Sequence, residues 1–363
     1  MHREIGSNYW LNKNIKPLDK ELTFDFLCVE YVDMALLSTG RSAISYALKH
    51  IEPHINKKRA LLPSFTCHTV IQPFLDAGYE VNYYSVDKRL VCECAELLRC
   101  VELYKPSILL LHGYFGFNTL EALKEIIVEI RAKGIFVIED LTQTLYSEFV
   151  HLDADFYIAS LRKWGPLPDG GLVLSRNIPL DSKPAQTDVE LEESKLKAMH
   201  AKYLYMEKNI GQKPNFLELF REAEALLGKQ SGYYTMSRMA RTIQANLDIK
   251  HLRNRRRANY TLLLKHLKES DVVKPVFELF PVSVTPLYFP VYVKTERKAL
   301  QQYLASNDIY CPIIWPKATD CDRVAEEVDW IYDNILSIPC DQRYIEEDME
   351  RIVNALAEFQ KSV

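Results

Sequence analysis

The chain lacks the features that would place it outside the ordinary globular classes. It has no run of eighteen apolar residues, so no membrane-spanning helix is expected. Its opening, "MHREIGSNYWLNKN", has no apolar stretch of signal-peptide length, and the cytoplasm is the expected compartment. A strong charge of one sign is also missing. The 45 Lys and Arg against 49 Asp and Glu leave a net charge of −4, which offers no basic field to nucleic acid. The one basic cluster, "RNRRR" at 253–257, falls in a helical pattern and reads as a solvated helix face or an anion contact. Eight cysteines in 363 residues are too few for a disulfide scaffold. Cys92, Cys94 and Cys100 cluster without a paired CxxC or HxxH, so reduced packing thiols are expected there, with zinc as the alternative and no metal site expected overall. Repeats and low-complexity tracts are absent.

What is present is an alternation of short apolar strands and amphipathic helices from about residue 33 to 177. Strands are expected at 59–62, 80–85, 107–111, 135–139, 155–159 and 172–175, with helices near 41–51, 67–77 and 119–133. This is the pattern of an α/β layered fold with a mostly parallel sheet. Residues 187–230 are helical and charge-laced, and a single long helix is expected from about 236 to 269. Beyond Val273 the character changes: a strand in "VTPLYFPVYVK", a helix over 295–307, then "IYCPIIWP" and a last helix over 345–360. The division expected is a large domain, 1–245, opening with an arm at 1–30, and a smaller C-terminal α+β domain, 246–363.

In an open α/β sheet, ligands sit beyond the carboxyl ends of the strands, and three features fall at such ends. In "STGRSAISYALKHI", Thr39, Gly40 and Arg41 lead into a helix whose first-turn N–H groups suit an anion, although a hydroxyl there can equally be a simple cap. In "IFVIEDLTQTLYS", a strand delivers Glu139 and Asp140, with Gln143 three residues on. A carboxylate there could cap the next turn or hold a cation. In "ADFYIASLRKWGPLPDGGLVLS", Ser160 and Lys163 follow the next strand's end. An anion site, a carboxylate and a lysine are the parts that hold pyridoxal phosphate (PLP): phosphate on the helix, ring nitrogen on the carboxylate, aldehyde on the lysine as an imine.

The order and spacing of these parts resemble the fold-type I PLP enzymes, and in particular the DegT/DnrJ/StrS family of sugar aminotransferases. The resemblance runs over about residues 35 to 360. It rests on "TGRSAI", on "LLPSFTCHTVIQPFLDAGYEVNYYSVD", on the Glu139–Gln143 "EDLTQ", on Lys163 lying seven residues before the Gly170–Gly171 pair, and on "ILSIPCDQRYIEEDMERIVNAL". It implies that Lys163 holds the cofactor and shuttles the substrate proton, that Asp140 keeps the pyridine nitrogen protonated, and that Gln143 contacts the phenolic oxygen. It further implies that Ser160, Thr39, Gly40 and Arg41 line the phosphate, and that Cys67 and His68 lie where relatives stack an aromatic residue on the ring. The implied activity is transfer of an amino group from an amino acid, with glutamate the leading donor, to a keto sugar, free or nucleotide-linked. A homodimer with shared active sites is implied as well.

Three positions depart from the family pattern. Cys67 stands in the aromatic place, the Ser160-to-Lys163 step is two residues shorter than usual, and "TMSRMARTIQANL" replaces the segment that reaches the neighbouring subunit, making Arg238 the candidate there. A sugar dehydratase and a catalytically silent relative remain as alternatives, although dehydratase relatives carry histidine in place of the lysine. Tyr9, Trp10 and Trp315 are candidate substrate walls, with core or interface packing as their other reading.

Overall fold

The structure, a computed structural model, describes residues 4–12, 22–230, 232–317 and 326–362. Its centre is a seven-stranded, largely parallel sheet in the order Asp33–Leu37, Gly171–Ser175, Phe156–Ser160, Phe136–Asp140, Ile108–His112, Arg59–Pro63, Glu80–Tyr84. Ile108–His112 is buried at every residue, as befits a strand covered on both faces. At the sheet edge Glu80–Tyr84 alternates toward solvent. The neighbours of Ile108–His112 run parallel to it, whereas Gly171–Ser175 is antiparallel to both strands beside it.

The chain divides into two compact units. One comprises the described residues of Met1–Ser7, His54–Ala154 and Asp248–Val363. It includes a three-stranded antiparallel sheet, Ile335–Ile338, Phe289–Val293 and Val273–Pro275, with helices at Ile249–Leu267, Arg297–Ser306 and Glu346–Ser362. The other comprises the described residues of Asn8–Pro53 and Asp155–Leu247, with the helix Gly40–Ile51 and a pair of helices, Val189–Lys208 and Lys213–Lys229.

Two sequence expectations change. The single helix over 236–269 is two, Arg238–Ala245 and Ile249–Leu267. Asp248 makes the break, because its carboxylate accepts from His251 N at 2.8 Å and starts a new helix. The cluster 253–257 is not a solvated face: Arg256 is fully buried and donates to the carbonyls of Pro286 (3.0 Å) and Leu287 (2.9 Å), while Arg257 donates to Pro281 (2.8 Å). The Arg256 guanidinium thus satisfies two buried loop carbonyls.

The cysteine cluster opens a helix, Cys94–Tyr104, that buries Leu97, Cys100 and Val101 on one face. Burial pushes the Cys92 thiol up, and burial with Glu96 beside it pushes Cys100 up to about 11, so both are inert packing thiols. Among the described residues no group of three His, Cys, Asp or Glu side chains is placed to hold a metal ion, and no helix is long and apolar enough to cross a membrane.

Candidate active site

In the first unit, strand pleating separates the two carboxylates of Phe136–Asp140, since successive side chains point to opposite faces. Glu139 turns to His151: its Oε1 lies 3.0 Å from Nδ1, and its Oε2 accepts from Leu152 N at 2.7 Å. Both side chains are buried, so this is an internal pair. Asp140, 5% exposed, accepts from Thr142 N at 2.8 Å through Oδ1, which shapes the turn leading to Gln143.

Gln143 is buried, and its Oε1 accepts from Phe115 N at 2.5 Å. A backbone N–H can only donate, so the amide oxygen must face Phe115 and the amide nitrogen must face away. Nε2 is buried and has no hydrogen-bond partner among the described residues. The Phe115 backbone is itself held in the left-handed region, φ 56°, next to Gly116, where an added Cβ would lie 2.0 Å from the Thr285 carbonyl oxygen.

His112 is the register partner of Asp140 on the adjacent strand. Burial lowers its pKa to about 4, so the ring is neutral. Its Nε2 lies 3.0 Å from Thr66 Oγ1, and its ring centroid lies 5.4 Å from that of Trp315 and 4.6 Å from that of Tyr114. Trp315 is half-buried and also lies 5.5 Å from Phe65. Cys67 is the N-cap of the helix His68–Asp76, with Sγ 3.0 Å from Thr69 Oγ1, and His68 is exposed.

In the second unit, Thr39 caps the helix Gly40–Ile51 by accepting from Ser42 N at 2.9 Å. Gly40 is required by a close approach, because a Cβ there would lie 2.8 Å from Ser160 Cβ. Gly171 is tighter still, its added Cβ falling 2.1 Å from the Thr39 carbonyl oxygen. The helix start is thus pressed onto the ends of two strands, and Lys163, exposed, closes the 3-10 turn Leu161–Lys163 directly after Ser160. Arg41 directs Nη2 to the Leu227 carbonyl at 2.9 Å, which leaves its backbone N–H rather than its guanidinium at the helix start.

Behind the turn, Glu224 pairs with the buried Lys195 and lies 3.9 Å from Arg162. Burial would raise the Glu224 carboxyl, but Arg162, Lys195 and Lys163 together hold it below its usual range. Trp10 packs on the helix Val189–Lys208, donating Nε1 to Glu207 at 3.2 Å, beside Lys202, which donates to the Asn8 carbonyl at 2.9 Å. Tyr9 is half-buried in the same segment, and Arg238 is the exposed first residue of its helix.

Sequence reasoning missed His112, Phe115 and Asp169. Each acts through a tertiary partner that no local spacing announces. The "PDGG" turn was the one available signal for Asp169.

The fold of the chain is that of solved sugar aminotransferases. Among solved structures with that fold are the aminotransferase PseC of Helicobacter pylori, described as involved in the biosynthesis of pseudoaminic acid (13% identity, 100% of each chain covered, TM-score 0.71). The aminotransferase TlmJ of Streptoalloteichus hindustanus (14% identity, 92% of this chain and 87% of that one, TM-score 0.66) is similar too. So is a DegT/DnrJ/EryC1/StrS aminotransferase of Brucella abortus (17% identity, 92% and 87%, TM-score 0.64). No protein-family model matches the chain, and no curated protein matches it by sequence.

Proposed function

We propose that the protein is a PLP-dependent aminotransferase that moves an amino group from an amino acid, glutamate foremost, to a keto sugar. The observation that carries the reading is the buried, unpartnered Nε2 of Gln143, three residues beyond Asp140. A buried amide donor without an acceptor costs roughly 1–3 kcal/mol. An anionic ring oxygen would relieve that cost. The residues therefore fit the cofactor, and the likeness in fold to sugar aminotransferases supports the same assignment.

When bound, PLP supplies an electron sink for the pair left behind as a proton leaves the amino-acid carbon. The remaining work falls to the chain. The Lys163 amine would take the cofactor aldehyde and carry the proton between the two carbons. Asp140 would hold a proton on the ring nitrogen, its orientation set by the Thr142 N–H. Gln143 would donate Nε2 to the phenolic oxygen. The backbone N–H groups of Gly40 and Arg41, with the hydroxyls of Thr39 and Ser160, would take the phosphate at the positive end of a helix.

Cys67 is small and half-exposed, so the ring wall would come from His68 and from Trp315. Tyr9 and Trp10 would bound the sugar side. Arg238 would serve the neighbouring subunit of a homodimer, since a symmetric pair presents the same patch on both copies. A large domain at 1–245 with an arm at 1–30, and a smaller one at 246–363, would organise these parts. The seven described cysteines are all unbridged, which supports a reducing, cytoplasmic setting.

A panel of free and nucleotide-linked keto sugars incubated with 15N-glutamate, read by mass spectrometry, tests the function. The expected result is one labelled amino sugar and stoichiometric 2-oxoglutarate. Loss of water from the sugar without label transfer would replace the reading with the dehydratase.

A further inference from the structure

Three consecutive residues, Asp169, Gly170 and Gly171, close the loop that begins at Lys163, and between them they attach it to two other segments, one at Ser38–Thr39 and one at Ser237. Gly171 lies against the Thr39 carbonyl. Gly170 donates N–H to the Ser38 carbonyl at 2.6 Å and accepts from Leu161 N at 3.1 Å, which fixes the start of the lysine turn. Asp169, 2% exposed, receives the backbone N–H of Ser237 on both carboxyl oxygens, at 3.1 and 3.2 Å. Ser237 is fully buried and is itself the N-cap of the helix Arg238–Ala245, its Oγ accepting from Ala240 N at 3.2 Å. One side chain therefore joins the Lys163 loop to the start of the Arg238 helix.

We infer that Asp169 is a positioning residue, a latch whose carboxyl group holds the Lys163 turn and the Arg238–Ala245 helix start in one fixed geometry. The functional half of this inference rests on the reading of Lys163 as the cofactor lysine.

The latch has a direction in pH. Burial pushes the Asp169 carboxyl up to about 7. Glu192 on the helix Val189–Lys208 adds to the shift, while the Ser237 bonds and Arg162 on the lysine turn oppose it. A group whose pKa is raised in the closed geometry favours closure when protonated. The latch is accordingly closed with Asp169 neutral and loosens as pH rises through about 7, because opening returns the carboxylate to water.

Hydrogen exchange on the full chain, corrected for intrinsic rates, reads the latch at the Ser237 and Ala240 amides. In the wild type, protection should fall by about tenfold between pH 6 and pH 8.5. Asp169→Asn, close in shape and permanently neutral, should keep its low-pH protection throughout. Asp169→Ala should lose it at every pH. Ser237→Ala, which retains the N–H, should retain the wild-type pH dependence.

The rate of PLP attachment to Lys163, followed by absorbance, should show the same contrast: the ratio of the wild-type rate to the Asp169→Asn rate should fall as pH rises through about 7. Should Asp169→Asn reproduce the wild-type fall in protection, or Asp169→Ala leave protection unchanged, the latch is wrong. Failure of PLP to attach to wild-type Lys163 tells instead against the cofactor reading, and the exchange profiles then decide the latch alone.

Discussion

Phe115 and Gln143 fix one another: the Phe115 N–H reaches Gln143 Oε1 at 2.5 Å and turns the amide nitrogen toward a place where the described residues supply no acceptor. Gln143→Leu removes the orphaned donor with little change of volume. We expect the variant to be about as stable as the wild type, because losing the unmet donor offsets the loss of an acceptor for the buried Phe115 N–H. It should retain PLP roughly tenfold less tightly, the loss of one hydrogen bond to a charged oxygen. Urea unfolding and PLP equilibrium dialysis read the two effects separately, and unchanged PLP affinity would remove Gln143 from the site.

Adjacent carboxylates on one strand should behave in opposite ways. Glu139 is bound into the protein by His151 and Leu152, so His151→Ala leaves a buried charge short of a partner and should cost about 3 kcal/mol in urea unfolding. Asp140→Asn should fold normally and still bind PLP, yet transaminate at least about a hundredfold more slowly, because an amide cannot keep a proton on the ring nitrogen. Near-wild-type turnover in Asp140→Asn would reduce Asp140 to the turn cap that its bond to Thr142 already makes it.

The pH dependence of stability carries the signature of Asp169. Its folded pKa, about 7, lies above the ordinary value of 3.8, so its contribution is fully present below about pH 4 and is lost as pH rises through 7. Asp169→Asn should match the wild type in acid and exceed it above pH 8 by an amount on the order of a few kcal/mol. Paired urea titrations at pH 5 and pH 8.5 measure the gap. A gap of the same size at both would show that the carboxylate is not destabilised by burial.

Much of this architecture is legible in the sequence, for reasons that particular residues make plain. Continuous apolar runs such as Ile108–His112 announce strands buried on both faces, and the small residues Thr39–Gly40 announce a helix start that something approaches closely. The helix Cys94–Tyr104 was not among the expected elements, because it is short and opens on a cysteine cluster, although Leu97, Cys100 and Val101 keep helical spacing. The break before Ile249 depends on a single capping aspartate inside an otherwise helical pattern. Arg256, read as part of a charged surface, is buried because carbonyls far along the chain come to meet it. Gln143 was found through its spacing from Asp140. The reason its nitrogen is unpartnered, the N–H of Phe115, is a tertiary fact.

Arg241 directs its guanidinium at its own segment, to Met236 O (3.0 Å) and Thr235 Oγ1 (2.6 Å), whereas Arg238 is exposed at the helix start. Arg238 is therefore the better candidate for donation to a neighbouring subunit, where its fork suits a pair of oxygens. Lys163→Ala and Arg238→Ala should each be inactive. Mixed under subunit exchange, they should recover up to about a quarter of wild-type activity, as expected when half the chains form mixed dimers and each mixed dimer carries one intact site. No recovery despite confirmed exchange would place Arg238 outside the shared site.

The central claim is that Lys163 binds PLP covalently. Purified protein incubated with PLP, reduced with borohydride and digested should yield one peptide containing Lys163 with the mass of a reduced pyridoxyl phosphate adduct. Lys163→Ala should yield none and show no visible absorbance band. An adduct confined to another lysine, or an unmodified Lys163 peptide with full transamination, would contradict the account.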